Sequence, residues 1–331
     1  MASESFLDRT DTLSPGDISK RCDTIISHFQ TSYPRFDLEY FRGRGMYTHA
    51  SIDQDLILLE NIKKDFTQKN SFYPKSDQEK MAHSRKRSEA LEIIIADQIE
   101  TSDWFGDTAL LFRTTEFDDY TNGVDAVVEF DGPDDDHYHR IALAVDSTSK
   151  TELQTLVPKI DRNISKILTN RCGVKYYESP RLDNPYIGPL VDIIPVVVGL
   201  EAHHTNDLVI SFARLLDLER SSQDTNTSSN LKVILRNEFN QLRRKIEKDP
   251  TQIIFLEEIR SQLEMYHSIL NRENNPQVHI STHKLDGIIE VINGILTSKE
   301  SIKANLESKI PQGDAVFDLI KYSSQKKQKS F

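Results

Sequence analysis

The sequence predicts an α/β protein: a mixed central sheet flanked by helices, with helical additions at the N- and C-terminal ends. Between residues 77 and 215, helix-like and strand-like patterns alternate, which is typical of a sheet covered by helices. The run 193–200 is almost entirely apolar, as in strands that are buried on both faces. Outside this region only the helical spacing of apolar residues recurs.

The predicted elements follow in chain order. Helices are expected at 17–30 and 51–66, where apolar residues recur every three or four positions. The core then reads as a helix over 77–101, strands at 108–115, 125–130 and 140–148, a helix over 151–170, and strands at 174–177 and 193–200. Pro158 is expected to kink the last helix or to reset its start to Val157. Pro195 indicates an edge position or a bulge for the last strand.

Composition divides the chain into four parts: a helical N-terminal extension (1–75), an α/β core (76–220), a linker (221–230) and a C-terminal α-helical domain (231–331). The linker SSQDTNTSSN contains only small polar residues. The C-terminal domain is predicted to be a small helical bundle, with helices in 231–270 broken near Asp249-Pro250, and further helices at 284–296 and 299–309. Its basic end, 325–329, is expected to be disordered.

Length and composition set the broad class. With 331 residues, 37% hydrophobic and 28% charged, the chain has an ordinary soluble composition. We expect a cytoplasmic protein with no membrane contact, because no signal-like segment or long apolar run is present. Cys22 and Cys172 form no CxxC pattern, and we expect both to be packing residues. The sequence has no GxxxxGK[ST], GxGxxG, HExxH or GxSxG motif, which argues against NTPases, dinucleotide-binding enzymes, metalloproteases and α/β-hydrolases with a serine nucleophile.

Two acids lie where neighbouring strands meet. Asp125 opens one strand, and Asp146 ends the next, on the face of Ala142, Ala144 and Thr148. Antiparallel neighbours are about 5 Å apart, so Asp125 and Asp146 can converge. Paired carboxylates repel each other unless a cation neutralises them, and Mg²⁺ favours such oxygen ligands. Alternatively, Asp146 caps the following helix and Asp125 serves the Asn122-Gly123 turn.

These residues resemble the core of the PD-(D/E)xK nuclease-like (restriction endonuclease-like) superfamily. The resemblance rests on the segments GVDAVVE and LAVDST and on the helices before and after them, and it covers roughly residues 77–215. It implies an acid at the start of the second strand, matched by Asp125, and an acid-x-Lys on the third strand, matched in its acid by Asp146. The lysine position falls on Thr148, and Lys150 or Lys159 is the candidate substitute.

The resemblance also implies a glutamate on the first helix, for which Glu89 and Glu92 are the candidates. The alternative for either residue is an exposed glutamate on a solvated helix face without a role in the site. After the first strand, Glu116, Asp118 and Asp119 are expected in a loop. There Asp119 supplies either a third metal contact or an Asx turn, of which we favour the turn.

Two further groups of residues are candidates for binding. The aromatic and arginine-rich segment 40–47 can stack on nucleic-acid bases, but an irregular loop packed on the core is the favoured interpretation. The pairs His137/His139 and His203/His204 suit transition metals, but neither has the spacing of a zinc site.

The resulting hypothesis is a nuclease that hydrolyses phosphodiester bonds of DNA or RNA with Mg²⁺ or Mn²⁺. Asp125 and Asp146 would hold the ion, Glu89 or Glu92 would complete its shell, and Lys150 would lie near the attacking water. The alternative is a catalytically silent nuclease-like core that binds nucleic acid or protein, with the C-terminal helices as a protein contact. The core carries 15 basic and 27 acidic residues, a net charge of −12. That balance opposes nucleic-acid binding and, with Thr148, favours the alternative.

Overall fold

The computed structural model describes residues 13–131, 138–148, 155–181, 185–224, 228–273, 280, 282–306 and 313–330. The α-helices are α1 (Pro15–Phe29), α2 (His49–Ser71), α3 (Lys75–Ser102), α4 (Glu116–Asn122), α5 (Leu156–Leu168), α6 (Ala202–Gln223), α7 (Ser229–Glu247), α8 (Thr251–Glu273), α9 (Thr282–Ser298), α10 (Glu300–Lys303) and α11 (Ala315–Ser330). A short 3₁₀ helix spans Leu38–Phe41. The strands are β1 (Leu110–Arg113), β2 (Ala126–Asp131), β3 (Tyr138–Thr148), β4 (Gly173–Val174), β5 (Leu190–Val191) and β6 (Ile194–Glu201). The predicted mixed α/β class is confirmed.

The main sheet has the strand order β1-β2-β3-β6. The first three strands pair antiparallel, with Ala126 opposite Leu143. The fourth pairs parallel with β3, with Leu143 opposite Val196. The crossover between β3 and β6 contains α5. Because β6 is an edge strand, the edge position predicted from Pro195 is confirmed.

The two faces of β2 are covered by different hydrophobic clusters. On one face, Ala126, Val128 and Leu143 share a cluster with Leu91 and Ile94 of α3. On the other face, Val127 and Phe112 belong to an aromatic cluster that the N-terminal segment and the chain after β4 complete. That second cluster includes Phe41, Tyr47, Tyr176 and Tyr177. The aromatic residues of 40–47 therefore pack mainly inward, as the favoured interpretation predicted.

Side chains of α8 complete the outer edge of β6. Gln262 accepts a hydrogen bond from Val197 N at 2.9 Å and donates one to Val197 O at 2.7 Å. Glu258 accepts from Gly199 N at 2.9 Å, and Tyr266 donates to Pro195 O at 2.9 Å. A free strand edge exposes unpaired N–H and C=O groups, so these side chains do the work of a further strand.

The helices after the predicted linker share the core of the sheet. The cluster that contains Val197 of β6 also contains Phe255 and Leu263 of α8, Ile292 of α9 and Val316 of α11. The break predicted near Asp249-Pro250 is confirmed, because α7 ends at Glu247 and α8 begins at Thr251. The predicted disorder of 325–329 is wrong: these residues lie in α11, where Lys327 forms an ion pair with Asp161 of α5.

Two predicted elements are shorter than expected. The strand at 174–177 ends at Val174, because the N–H groups of Lys175 and Tyr176 donate to the side chain of Asp118 rather than to a strand. Helix α5 begins at Leu156, close to the reset predicted from Pro158, since a proline in the first helical turn loses no intrahelical hydrogen bond.

None of the helices in the described parts of the chain is long and apolar enough to cross a membrane.

Candidate functional site

The predicted acids lie at the edge of the sheet where β2 begins and β3 ends. Asp125 directly precedes β2 and is held there by its backbone. Its N–H donates to Leu143 O at 2.8 Å, and its carbonyl oxygen accepts from Thr114 N at 3.0 Å. These two bonds fix Asp125 between β1 and β3 and set the direction of its side chain.

Three of the predicted acids surround one arginine. Arg35 Nη1 lies 2.7 Å from Asp119 Oδ2, and Arg35 Nη2 lies 2.9 Å from Glu92 Oε2. The same Nη2 is 3.7 Å from Asp125 Oδ1. We call Arg35, Glu92, Asp119 and Asp125 the carboxylate cluster. Arg35 belongs to the segment between α1 and the 3₁₀ helix, which was not among the predicted site residues.

A second arginine supports the cluster from β1. Arg113 Nη2 lies 3.2 Å from Glu92 Oε2, and Arg113 Nη1 donates to Tyr33 O at 3.0 Å. The second bond ties the segment that carries Arg35 to the sheet. Glu92 therefore shares one carboxylate oxygen between Arg35 and Arg113.

Burial shifts the ionisation of both main partners. Burial raises the pKa of Glu92, an effect that Arg35 and Arg113 oppose and that Asp119 reinforces. Burial lowers the pKa of Arg35, but Glu92, Asp119 and Asp125 raise it by more, so its pKa lies above the ordinary arginine value. Arg35 is therefore a permanent positive charge inside the carboxylate cluster.

Of the two glutamates proposed on α3, Glu92 contacts the cluster and Glu89 does not. Glu92 is 9% exposed, whereas Glu89 is half-buried and forms no hydrogen bond or ion pair with the cluster among the described residues. The choice between them was open from the sequence, because both lie on one helix three residues apart.

Asp119 lies in a helix rather than in the expected loop. Residues Glu116–Asn122 form α4, which Thr115 caps by accepting a hydrogen bond from Asp118 N at 3.3 Å. Gly123 ends α4 with φ 62°, a left-handed conformation that glycine adopts without strain. The favoured Asx-turn interpretation is wrong, because Asp119 pairs with Arg35.

The backbone of Asp146 pairs with Gly199 of β6, and Thr148 pairs with Glu201. Leu143 lies opposite Ala126, so the Cα atom of Asp146 lies about 7 Å, or two residues, beyond the position opposite Asp125. The side chain of Asp146 and all of Lys150 lie outside the described residues, so their proposed roles stay predictions.

The donor chemistry of the cluster suits Mg²⁺ or Mn²⁺, because both favour carboxylate oxygens. The space between the carboxylates, however, holds the guanidinium of Arg35 at hydrogen-bonding distance from two of them. A divalent ion and this guanidinium compete for the same oxygens. The described acids therefore do not fit a divalent ion while Arg35 is bound.

A separate group of possible ligands lies at the end of β6. Glu201, His203 and His204 each offer one ligand atom, and these atoms lie within 4.8 Å of one another. The two histidines were candidates from the sequence. Glu201 was not predicted, because it is not part of a known zinc-motif spacing. Of the other histidine pair, His137 and the side chain of His139 lie outside the described residues.

The chain matches no protein-family model, no curated protein and no solved structure.

Proposed function

We propose that this chain is a nuclease-like α/β module that is catalytically silent with Arg35 in place and acts by binding a partner. The observation that carries the proposal is the position of Arg35 among Glu92, Asp119 and Asp125. Metal-dependent phosphodiester hydrolysis needs those oxygens for the ion. Here their charge is already offset by an arginine that stays protonated.

The order of elements supports the nuclease-like part of the proposal. Helix α3, the antiparallel strands β1, β2 and β3, the crossover helix α5 and the parallel strand β6 follow one another along the chain. The resemblance implies the order helix, three strands, helix, two strands and helix. The chain follows it with β4, β6 and α6 as the last three elements, while α4 and β5 are additions and β4 lies outside the main sheet. Asp125 and Glu92 lie together at the positions for which the resemblance expects acids.

The charge of the core supports a basic protein surface as the partner rather than nucleic acid. A nucleic-acid binder usually presents a basic face, whereas residues 76–220 carry a net charge of −12. Complementary charge speeds the encounter of two proteins and excludes partners of the same sign. Binding of nucleic acid is the competing outcome and is tested together with cleavage below.

A second candidate is a nuclease that becomes active when Arg35 is displaced. It is favoured by one observation: Arg35 lies in a segment between α1 and the 3₁₀ helix that has no regular secondary structure. Such segments move at lower cost than helices or strands. In this candidate Mg²⁺ or Mn²⁺ would replace the guanidinium among the carboxylates.

Cleavage of labelled single- and double-stranded DNA and RNA, with Mn²⁺ or Mg²⁺, separates the two candidates. We expect no metal-dependent cleavage by the wild type. Metal-dependent cleavage by the wild type that disappears in Asp125→Asn would overturn the silent module in favour of the nuclease. The same substrates, used in a binding assay without metal, test whether nucleic acid is the partner.

The variant Arg35→Met tests the displaced-arginine candidate directly. We expect it to unfold more easily by about 3 kcal/mol, because removing one partner of a buried ion pair leaves the other charges uncompensated. Arg214→Met is the matched control, since Arg214 pairs with Glu238 at the surface. If Arg35→Met gains Mn²⁺-dependent cleavage that Arg35→Met/Asp125→Asn lacks, the second candidate holds.

A further inference from the structure

The junction between β6 and α6 brings together two imidazoles and a carboxylate. Glu201 is the last residue of β6, and His203 and His204 lie in the first turn of α6. Their ligand atoms lie within 4.8 Å of one another. We infer that Glu201, His203 and His204 form a binding site for a divalent transition-metal ion of the Zn²⁺ class.

The donor set selects the class of ion. Imidazole nitrogen suits Zn²⁺, Ni²⁺, Cu²⁺ and Fe²⁺, whereas Mg²⁺ and Ca²⁺ favour sites made of oxygen alone. Three protein ligands with an open fourth position are typical of zinc sites that bind water or a further ligand. Solvent can reach such an open position from the side of His203, because the His203 side chain is 59% exposed.

Asp314 supports this site from outside the ligand set. Asp314 Oδ2 lies 2.6 Å from His204 Nδ1, and Asp314 is 1% exposed. Its other oxygen, Oδ1, accepts hydrogen bonds from Val316 N at 2.9 Å and Phe317 N at 3.1 Å, so the carboxylate is fixed at the start of α11. Metal-binding histidines usually donate a hydrogen bond from their second ring N–H to such a carboxylate, which sets the tautomer. With the proton on Nδ1, His204 keeps the lone pair of Nε2 free to bind an ion.

Glu201 is held in place by the same helix end. Glu201 Oε2 accepts a hydrogen bond from Ala315 N at 2.9 Å, and Glu201 N donates to Asp314 Oδ2 at 2.9 Å. Glu201 Oε1 lies 4.0 Å from His203 Nδ1. The carboxylates of Glu201 and Asp314 also offset the partial positive charge of the two helix N-termini that meet here, which would otherwise oppose a cation.

The site is distinct from the carboxylate cluster. It is built at the end of β6 and the start of α6, whereas Glu92, Asp119 and Asp125 lie on α3, on α4 and directly before β2. Metal binding here requires no movement of Arg35. The metal site can therefore be tested separately from the silent module.

The test is titration of the chelator-treated, full-length protein with Co²⁺, followed by visible absorption, and with Zn²⁺ and Mg²⁺, followed by calorimetry. We expect one Co²⁺ per chain with the visible bands of an imidazole-ligated ion, displacement by Zn²⁺ and no response to Mg²⁺. His203→Ala, at an exposed side chain, should weaken Co²⁺ binding at least tenfold. The outer-shell variant Asp314→Asn should weaken it by about ten- to hundredfold.

Two controls keep the result specific. His283→Ala removes an exposed histidine on α9 and should leave Co²⁺ affinity unchanged. Asp125→Asn, in the carboxylate cluster, should leave it unchanged as well. The inference is overturned if the wild type binds no stoichiometric Co²⁺, or if His203→Ala binds Co²⁺ as tightly as the wild type.

Discussion

At the level of single residues, the carboxylates of Glu92, Asp119 and Asp125 surround the guanidinium of Arg35. Glu92 also contacts the guanidinium of Arg113. A charge buried without a partner is costly, whereas a buried charge with several hydrogen-bonded partners is tolerated. Glu92 depends most on this compensation, because it is buried, with 9% of its surface exposed, and contacts both Arg35 and Arg113. Its protonation should therefore register in the stability of the whole protein.

The pH dependence of stability should report the raised pKa of Glu92. A carboxyl whose folded pKa is raised contributes stability that is present below the unfolded pKa and is lost as pH rises through the folded pKa. The glutamine of Glu92→Gln does not titrate, so this variant does not lose stability in that way as pH rises. Between pH 4 and 8, the free energy of unfolding of Glu92→Gln should therefore rise relative to wild type by on the order of 1 kcal/mol.

Urea unfolding of both proteins across that pH range measures this difference, with Glu60→Gln on the exposed face of α2 as the control. If the wild type instead gains stability over Glu92→Gln as pH rises, the two arginines outweigh burial and the pKa of Glu92 is lowered.

The thiols offer a second prediction at this scale. Burial raises the pKa of Cys22 to about 11 and that of Cys172 to about 12. The reactive species is the thiolate, which is then scarce in the native protein at pH 8. A chromogenic disulfide reagent should label neither thiol within minutes in native buffer and should label two per chain in denaturant. Rapid labelling of the native wild type, lost in Cys22→Ser, would contradict the burial of Cys22.

At the level of elements, Gln262 is the side chain that replaces a strand partner for β6. Gln262→Ala removes two hydrogen bonds from Val197 and leaves its N–H and C=O unsatisfied in the core. Each such buried group costs about 1–3 kcal/mol. We expect a loss of about 2–4 kcal/mol in the free energy of unfolding, measured by urea denaturation. Gln241→Ala, on the exposed side of α7, should change it by less than about 0.5 kcal/mol; equal effects of both would contradict the bridging role.

The elements that the sequence predicts well are those whose signals are local. Strands β2 and β3 were placed within two residues, because apolar runs and turn residues bound them. Helix α4 was missed, because it is seven residues long and depends on the distant partners of Asp118, the N–H groups of Lys175 and Tyr176. No local pattern marks such contacts.

The candidate site divides in the same way. The resemblance implied acids at Asp125 and at Glu89 or Glu92, and Asp125 and Glu92 both lie beside Arg35. The pairing of Asp125 with Asp146 expected from the strands stays a prediction, and Asp119 was expected in a turn rather than at the cluster. Arg35 had no signal, since it lies 57 residues from Glu92 and 84 from Asp119 and outside any predicted element. Asp314 lies 110 residues from His204. In both cases the residue that sets the chemistry comes from a distant part of the chain.

At the level of the whole molecule, the helices beyond the predicted linker cover the sheet that precedes it. A chain that ends at residue 224 keeps strands β1 to β6 but loses α8, α9 and α11, whose residues Phe255, Ile292 and Val316 pack in the cluster of β6. It also loses the side chains that bind the outer edge of β6. An uncovered apolar strand edge favours association with other chains.

We therefore expect the fragment 1–224 to aggregate or to unfold without a cooperative transition. It lacks about a third of the chain, including helices that bury its core. Solubility, size-exclusion chromatography and thermal melting measure this. Coexpression of residues 228–331 as a separate chain should restore a soluble complex, since the lost contacts are non-covalent. A monomeric 1–224 fragment that melts cooperatively near the temperature of the full chain would mean that the boundary at 221–230 separates two independent folding units. In that case α8 would add to β6 without being required by it.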